Sequence, residues 1–410
     1  MPSSNGERQQ RALQWIQALC DLPHRVSGTL YERLAAEEIA KWLEQLGLTQ
    51  VQVLPARGGP RPGRVLALHA AVGLLGFLWG GLFGVLLAVL AWVSFSLENR
   101  RHKRLLSNLL PAPDSVNVVA RHGSPHALHR VVLSAHIDTT EAGAVFSPKF
   151  ARWFASWNHK RQGAQNRLPV PPLAVPELLL VAGALVTLMD WTGSHGFVFG
   201  LLELGSGLGL FLTTALGVQW AWAKPTPGAN DNASAVAAML LAAEQVRQKL
   251  GDEIELVVAG TGAEECGSGG MWEILDSHPQ WDRDRTFFIN FECVGGGNLH
   301  YVSSEGLLGR VHYPPRLLEV ARCVAASGSF GEVTPVHLLA GTDGKVPVLC
   351  GYPTLSLITL DDNGVPRNYH LPEDTPDQID PEAVVRAADF GAAVAEAAVR
   401  GNLSPASSAR

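Results

Sequence analysis

The sequence predicts an α/β fold, a mostly parallel central sheet with helices on both faces, plus two inserted transmembrane helical hairpins. Three observations carry that reading. Short apolar runs alternate with amphipathic segments, the pattern of strands connected by helices. Two long stretches are predominantly apolar and hold no lysine or arginine. Outside them, unusual polar residues collect where apolar runs end.

The elements can be justified in chain order. The N-terminus, "MPSSNGERQQRALQWIQALCDLPHRV", is polar and lacks the apolar core of a secretion signal. "ERLAAEEIAKWLEQLGL", Glu32 to Leu48, is an amphipathic helix that stops at a glycine. Val65 to Leu97 then contains no acid, lysine or arginine, and no lysine or arginine lies between Arg167 and Lys224. A bilayer span needs about 20 such residues, and a soluble core helix rarely runs apolar so far because one face meets water. The alternative is a pair of buried core helices or a dimer interface. Trp79-Gly80-Gly81 breaks the first stretch and Asp190 to Gly196 breaks the second, so each reads as a hairpin, the first rather short for a full crossing. Whether it crosses or only dips into the bilayer stays open.

Arg57, Arg61 and Arg64 precede the first stretch, and Arg100, Arg101, Lys103 and Arg104 follow it. Arg152, Lys160, Arg161 and Arg167 precede the second, while the outer turns carry no lysine or arginine. By the positive-inside rule, everything except those turns faces the cytoplasm. Trp153 and Trp157 suit an interfacial amphipathic segment or, equally, the core face of a surface helix. Glu203 falls inside the last apolar helix, where an acid is expected near the helix end or facing a neighbour. Gly205 to Gly209, "GSGLG", would permit close helix packing and allows a homodimer.

The remaining elements belong to the sheet and its cover. "VVLSAHID", "EIELVVAGTG", "RTFFINFECVG" and "YPTLSLITL" read as buried strands. "ASAVAAMLLAAEQVRQKL", Ala233 to Leu250, is a helix with Asp231 and Asn232 at its start. Residues 381–400 form a closing helix and 401–410 a flexible tail. The resulting division is a discontinuous α/β domain (1–63, 105–150 and 224–400), one membrane hairpin (64–104), and an amphipathic segment with a second hairpin (151–223).

Composition narrows the function. The 410 residues carry a net charge of −6 and no basic tract, which excludes a phosphate-binding surface for nucleic acid. Five scattered cysteines, with no C-x-x-C pair, make a poor disulfide framework and suit a reducing compartment.

The chemistry lies at strand ends, where open α/β sheets bind ligands. His136 and Asp138 close one strand as H-x-D. Asp231 sits in "GANDNAS", Glu264 and Glu265 leave a strand in "VVAGTGAEECGSGG", Glu292 ends the next, and His370 lies in "NYHLPEDTPDQID". Singly, each has an ordinary explanation: an N-cap for Asp231, a solvated pair for the glutamates, a core or surface histidine for His370. Together they supply the N and O donors that zinc accepts. Two metals about 3.5–4 Å apart need a shared bridge and separate ligands on each side, with a further carboxylate to move protons.

In their order and spacing, these motifs resemble the M28 family of zinc aminopeptidases, within the co-catalytic zinc exopeptidases. The resemblance runs from "DLPHRVSGTLYERLAAEEIAKWLEQLGL" through "SVNVVARHG", "HIDT", "PGANDNASAVAAMLLAAE", "GAEECGSGG" and "FINFECVGGG" to "YHLPEDTPDQID". It implies a fold of the zinc exopeptidase type and two zinc ions, or other divalent metals, as cofactors. It implies that His136 and Glu292 hold one ion, that Glu265 and His370 hold the other, and that Asp231 bridges them. Asp138 would orient the His136 ring. Glu264 would be the general base that activates water and then protonates the leaving amine of a peptide. "AGTDGKVP" lies where the family carries pocket residues, which makes Asp343 a candidate for substrate contact or simply a turn residue.

Two departures stand out. Glu292 occupies a position where the family usually has aspartate, which lengthens that arm. Asp138 and Asp231 lie 93 positions apart (231 − 138), and the second apolar stretch accounts for the excess. Since His136 and Asp231 must share a metal, that insert has to leave the domain and return, crossing an even number of times. The implied protein is a membrane-anchored aminopeptidase acting on peptides. The alternatives are a peptidase-derived scaffold without catalysis and a single-zinc enzyme of the glutaminyl cyclase kind.

Overall fold

The computed structural model describes residues 4–101, 103–147, 174–306, 310–362 and 364–401. Its strands are β1 (Thr49–Ala56), β2 (Ser115–Gly123), β3 (His129–His136), β4 (Ile254–Thr261), β5 (Thr286–Glu292), β6 (Asn298–Glu305), β7 (Val311–His312), β8 (Thr334–Leu338) and β9 (Thr354–Leu360). They form one sheet in the order β1-β2-β4-β3-β5-β9-β6-β7, with β8 beside β6. The centre, β4-β3-β5-β9, is parallel as expected. The flanks β1-β2-β4 and β9-β6-β7 pair antiparallel, so the whole sheet is mixed.

The helices are α1 (Asn5–Cys20), α2 (Leu30–Gln45), α3 (Pro62–Trp79), α4 (Gly81–Arg101), α5 (Ala174–Trp191), α6 (Phe197–Ala221), α7 (Ala235–Leu250), α8 (Gly269–Asp276), α9 (Pro315–Ala326), α10 (Lys345–Leu349) and α11 (Pro381–Arg400). Alternation along the strands sends successive side chains to opposite faces. Val131, Leu133 and Ala135 join the core beneath α1, α2, α7 and α11. Val132, Val257, Ala259 and Phe288 point the other way, against Met271 and Ile274 of α8 and Val346 of α10. Both faces of the central strands are therefore covered, which is why β4 and β5 are buried from end to end.

The two apolar stretches fold into helical hairpins, α3–α4 and α5–α6. All four helices are long and apolar enough to cross a membrane. They have 18, 21, 18 and 25 residues, and the shortest reaches about 27 Å at 1.5 Å per residue. The first hairpin is thus longer than the sequence suggested, because α3 begins at Pro62, ahead of the apolar run, and α4 continues to Arg101. Its turn falls at Gly80 and Gly81, as expected. Small residues let the helices touch: a Cβ on Gly63 would lie 2.5 Å from the Ala221 nitrogen, and one on Gly217 would lie 2.6 Å from the Ala67 nitrogen. Gly207 and Gly209 of the "GSGLG" run pack against Phe77 and Leu179. His69 Nε2 meets Ser94 Oγ at 2.8 Å across α3 and α4, and Ser96 donates to Glu177 at 2.6 Å across α4 and α5. Leu78, Phe83, Phe197 and Leu204 are exposed on the outside of the bundle. Glu203 is also exposed, in the second turn of α6 near the outer loop. The segment with Trp153 and Trp157, and the tail from 402, lie outside the described residues.

Candidate active site

Three neighbouring parallel strands end side by side. His136 is the last residue of β3, between β4 and β5. Glu292 is the last residue of β5, and Glu264 and Glu265 follow β4 by three and four positions. The loop after β9 brings in His370.

Asp231 is held from both sides. The backbone N–H groups of Asn230 and Asp231 donate to the buried Asp374 carboxylate at 2.8 and 3.0 Å. Arg25, fully buried, donates to the carbonyls of Ile137, Leu19, Pro227 and Gly228 at 2.7–3.2 Å. Gly228 has φ +71°, and a Cβ there would lie 2.3 Å from a Thr139 methyl, so the turn accepts no side chain. Asp231 has φ −113° and ψ 86°, outside the helical region, and its peptide bond to Asn232 is cis. Ser234 holds the N-cap position of α7, so Asp231 is no N-cap. α7 starts at Ala235, two positions later than expected, and the Asp231 carboxylate turns towards the two histidines.

His136 Nε2 lies 3.2 Å from Asp231 Oδ1 and 3.1 Å from Glu292 Oε1. His370 Nε2 lies 3.1 Å from Asp231 Oδ2 and 3.2 Å from Glu265 Oε1. Two donor sets result, His136–Asp231–Glu292 and Asp231–Glu265–His370, each compact enough to hold one ion and joined by Asp231. Asp138 Oδ1 sits 3.4 Å from His136 Nδ1, and the two Asp138 oxygens accept the backbone N–H groups of Glu264 and Glu265 at 3.1 and 3.2 Å. One carboxylate thereby fixes the imidazole and the turn that carries both glutamates. Ala263, Cys293 and His370 adopt φ of 54°, 46° and 55°, a left-handed conformation uncommon outside glycine and concentrated at functional sites.

The electrostatics follow from crowding acids into a buried space. Burial pushes the Glu264 carboxyl well above its usual range, against the nearby His136 and with the charges of Glu292 and Asp343 adding to the rise. Burial likewise raises Glu265 to about 7 and Asp343 to about 7. Asp231 goes the other way: burial would raise it, but hydrogen bonds from His136 and His370 outweigh that and hold it low. His370 is raised to about 10, because Glu265 and Asp231 overcome the effect of burial. The cluster is short of positive charge, and Glu292 Oε2 is buried with no hydrogen-bond partner. Two imidazoles and a set of carboxylates, one oxygen of them unpaired, are the donor chemistry of zinc, so these residues fit the metal.

A cavity of about 250 Å³ opens over Glu264, Glu265 and His370. The loop after β8 and the start of α10 supply Thr342 and Lys345 to its wall, and the helix bundle supplies Leu66, Phe95 and Trp220. Asp343 is fully buried, hydrogen-bonded to the Thr261 hydroxyl, and absent from this wall. All seven residues singled out in the sequence come together here. Arg25, Asp374, Lys345 and Phe146 were not singled out. Asp374 follows His370 by four positions, and Arg25 lies in "DLPHRVSG", but neither spacing alone marks a role.

Residues 215–395 match the model of peptidase family M28, a segment that contains Asp231, Glu264, Glu265, Glu292 and His370. No curated protein matches the sequence. Among solved structures, the chain is similar to a leucine aminopeptidase precursor from Bacteroides thetaiotaomicron, at 16% identity and TM-score 0.52, covering 93% of this chain and 95% of that one. It is similar to the glutaminyl cyclase of Porphyromonas gingivalis at 14% identity and TM-score 0.54, covering 95% and 97%. An aminopeptidase from Aneurinibacillus sp. strain AM-1 gives 16% identity and TM-score 0.53, covering 95% and 93%. At such identities the likeness is one of fold. Within that fold, residues 215–395 carry the likeness to peptidase family M28.

Proposed function

We propose that the protein is a membrane-anchored, two-zinc aminopeptidase with its catalytic domain in the cytoplasm. The observation that supports it most is the pair of donor sets joined through Asp231. Zinc in those sets supplies the Lewis acid that polarises a scissile carbonyl and acidifies water.

The chain's own residues supply the rest. Glu264, at the cavity floor, takes the proton from the attacking water and passes it to the leaving amine. Asp138 keeps the His136 ring and the Glu264–Glu265 turn in register. Asp374 and Arg25 keep the Asp231 loop from moving. Arginines 57, 61 and 64, and those after α4, support the cytoplasmic orientation.

Fold does not choose between hydrolysis and cyclisation, because glutaminyl cyclases share it. The deciding experiment is metal content on the detergent-purified full chain, with aminoacyl-nitroanilide hydrolysis on the same sample. Two zincs per chain and activity lost to a chelator are expected. One zinc without hydrolysis would favour the cyclase reading, and neither metal nor activity after zinc addition would favour a scaffold.

A further inference from the structure

The cavity over the candidate metal site is walled in part by the membrane bundle. Leu66 belongs to the first turn or so of α3, Phe95 to the last two turns of α4, and Trp220 to the last turn of α6. These side chains are also core residues of the bundle. The catalytic loops are fastened to the same helix ends. Lys345 Nζ donates to the Asn99 carbonyl of α4 at 3.1 Å. Arg104, just past α4, donates to the Cys266 carbonyl beside Glu265 at 3.1 Å. Trp220 Nε1 donates to the Glu141 carbonyl at 2.8 Å, and Arg61, before α3, pairs with the Glu141 carboxylate at 2.8 Å. Phe146 then stands between Trp220 and His370, with ring centroids 5.0 and 4.4 Å away.

Large apolar residues are exposed where these helices end. Leu105 and Leu109 follow α4 and are 45% and 76% exposed, and Trp222 follows α6 at 86%. Leucines and a tryptophan at that position suit the headgroup layer. Leu66 and Trp220 lie within about one helical turn, ~5 Å, of the same level. The cavity is thus at the height of the bilayer surface, and the contacts to α3, α4 and α6 keep it there.

We propose that the cleft receives its substrate from the bilayer surface: the N-terminal segment of a polypeptide held at the membrane, whose first residues lie against the inner ends of α3, α4 and α6. This rests on the membrane-anchored aminopeptidase reading, with the surface given by where the cavity lies against α3, α4 and α6.

The test uses the full chain in phosphatidylcholine vesicles and lipid-anchored peptides with one shared N-terminal sequence. The spacer between anchor and N-terminus is about 4 or about 25 residues, a reach of ~13 or ~80 Å. A soluble peptide and an aminoacyl-nitroanilide complete the set. Short-spacer peptide should be cleaved at least as fast as long-spacer peptide, and at least roughly tenfold faster than the soluble one. Surface concentration alone would raise both anchored peptides, so the spacer comparison decides. Cleavage confined to the long spacer, or equal rates for soluble and anchored peptides, would overturn the proposal. If even the nitroanilide is not hydrolysed, the aminopeptidase reading fails instead. A photo-crosslinker on the first residue of the short-spacer peptide then decides the surface: adducts at residues 340–345 or near Phe95 support it, and their absence refutes it.

Discussion

Glu264 and Glu265 differ by one position and by what surrounds their carboxylates. Both line the cavity, but Glu265 alone of the two reaches His370 and belongs to a donor set. Glu264→Gln should therefore leave metal content unchanged and lower kcat by about 10²-fold or more, while Asp231→Ala should lose metal as well, since both donor sets share that residue. Metal analysis and kinetics on the two variants check this. Glu32 offers a different kind of test. Its carboxyl is pushed to about 8, by burial and then by the charge of Asp138, against hydrogen bonds from Ser115 and Gly28. A carboxyl raised in the folded state binds its proton more tightly there than in the unfolded chain. Its contribution is complete below the ordinary value near 4.5 and is lost as pH rises through about 8. Thermal melts should show the wild type weakening across that window, and Glu32→Gln weakening less.

At the level of elements, the site depends on how two loops are locked to each other. Arg25 ties the end of β3, through Ile137, to the Pro227–Gly228 turn before Asp231. Removing it strips a hydrogen bond from each of four carbonyls, so Arg25→Ala should destabilise the fold by about 3–5 kcal/mol and weaken metal binding too, as read by melting and by zinc titration. Such a role was not legible in the sequence, because an arginine among carbonyls is defined by chain segments some two hundred positions apart. What was legible had local signatures. β3, β4 and β5 are dense apolar runs ending in polar residues, β9 is one that stops before Asp361, and α11 follows its pattern from Pro381 to Arg400. The flanking strands β1 and β6 to β8 had none. β1 is largely exposed and β7 has two residues, so their pairing comes from neighbours and not from composition. The π-like turn at Asp231 was masked in the same way, since an Asp before a helix reads as a cap until its backbone is seen.

For the whole molecule, the two hairpins must leave the catalytic domain and return on one side. On the proposed topology, Ser194, in the turn between α5 and α6, and Cys323, exposed on α9, would lie on opposite sides of the membrane. With Ser194→Cys, an impermeant maleimide should label the new cysteine in intact cells and Cys323 only after lysis. Labelling of both from one side would overturn the topology.

His136 and Asp231 meet at 3.2 Å although the second hairpin separates them in the chain. During synthesis, His136 and Asp138 emerge first, then α5 and α6, and only afterwards Asp231, the paired glutamates and His370. The donor sets cannot close around an ion until both helices of that hairpin have been made and the chain has come back. On the proposed membrane anchoring, a molecule stalled at the insertion machinery would therefore be an inert one, and competence to cut peptides would be acquired only at the finished address.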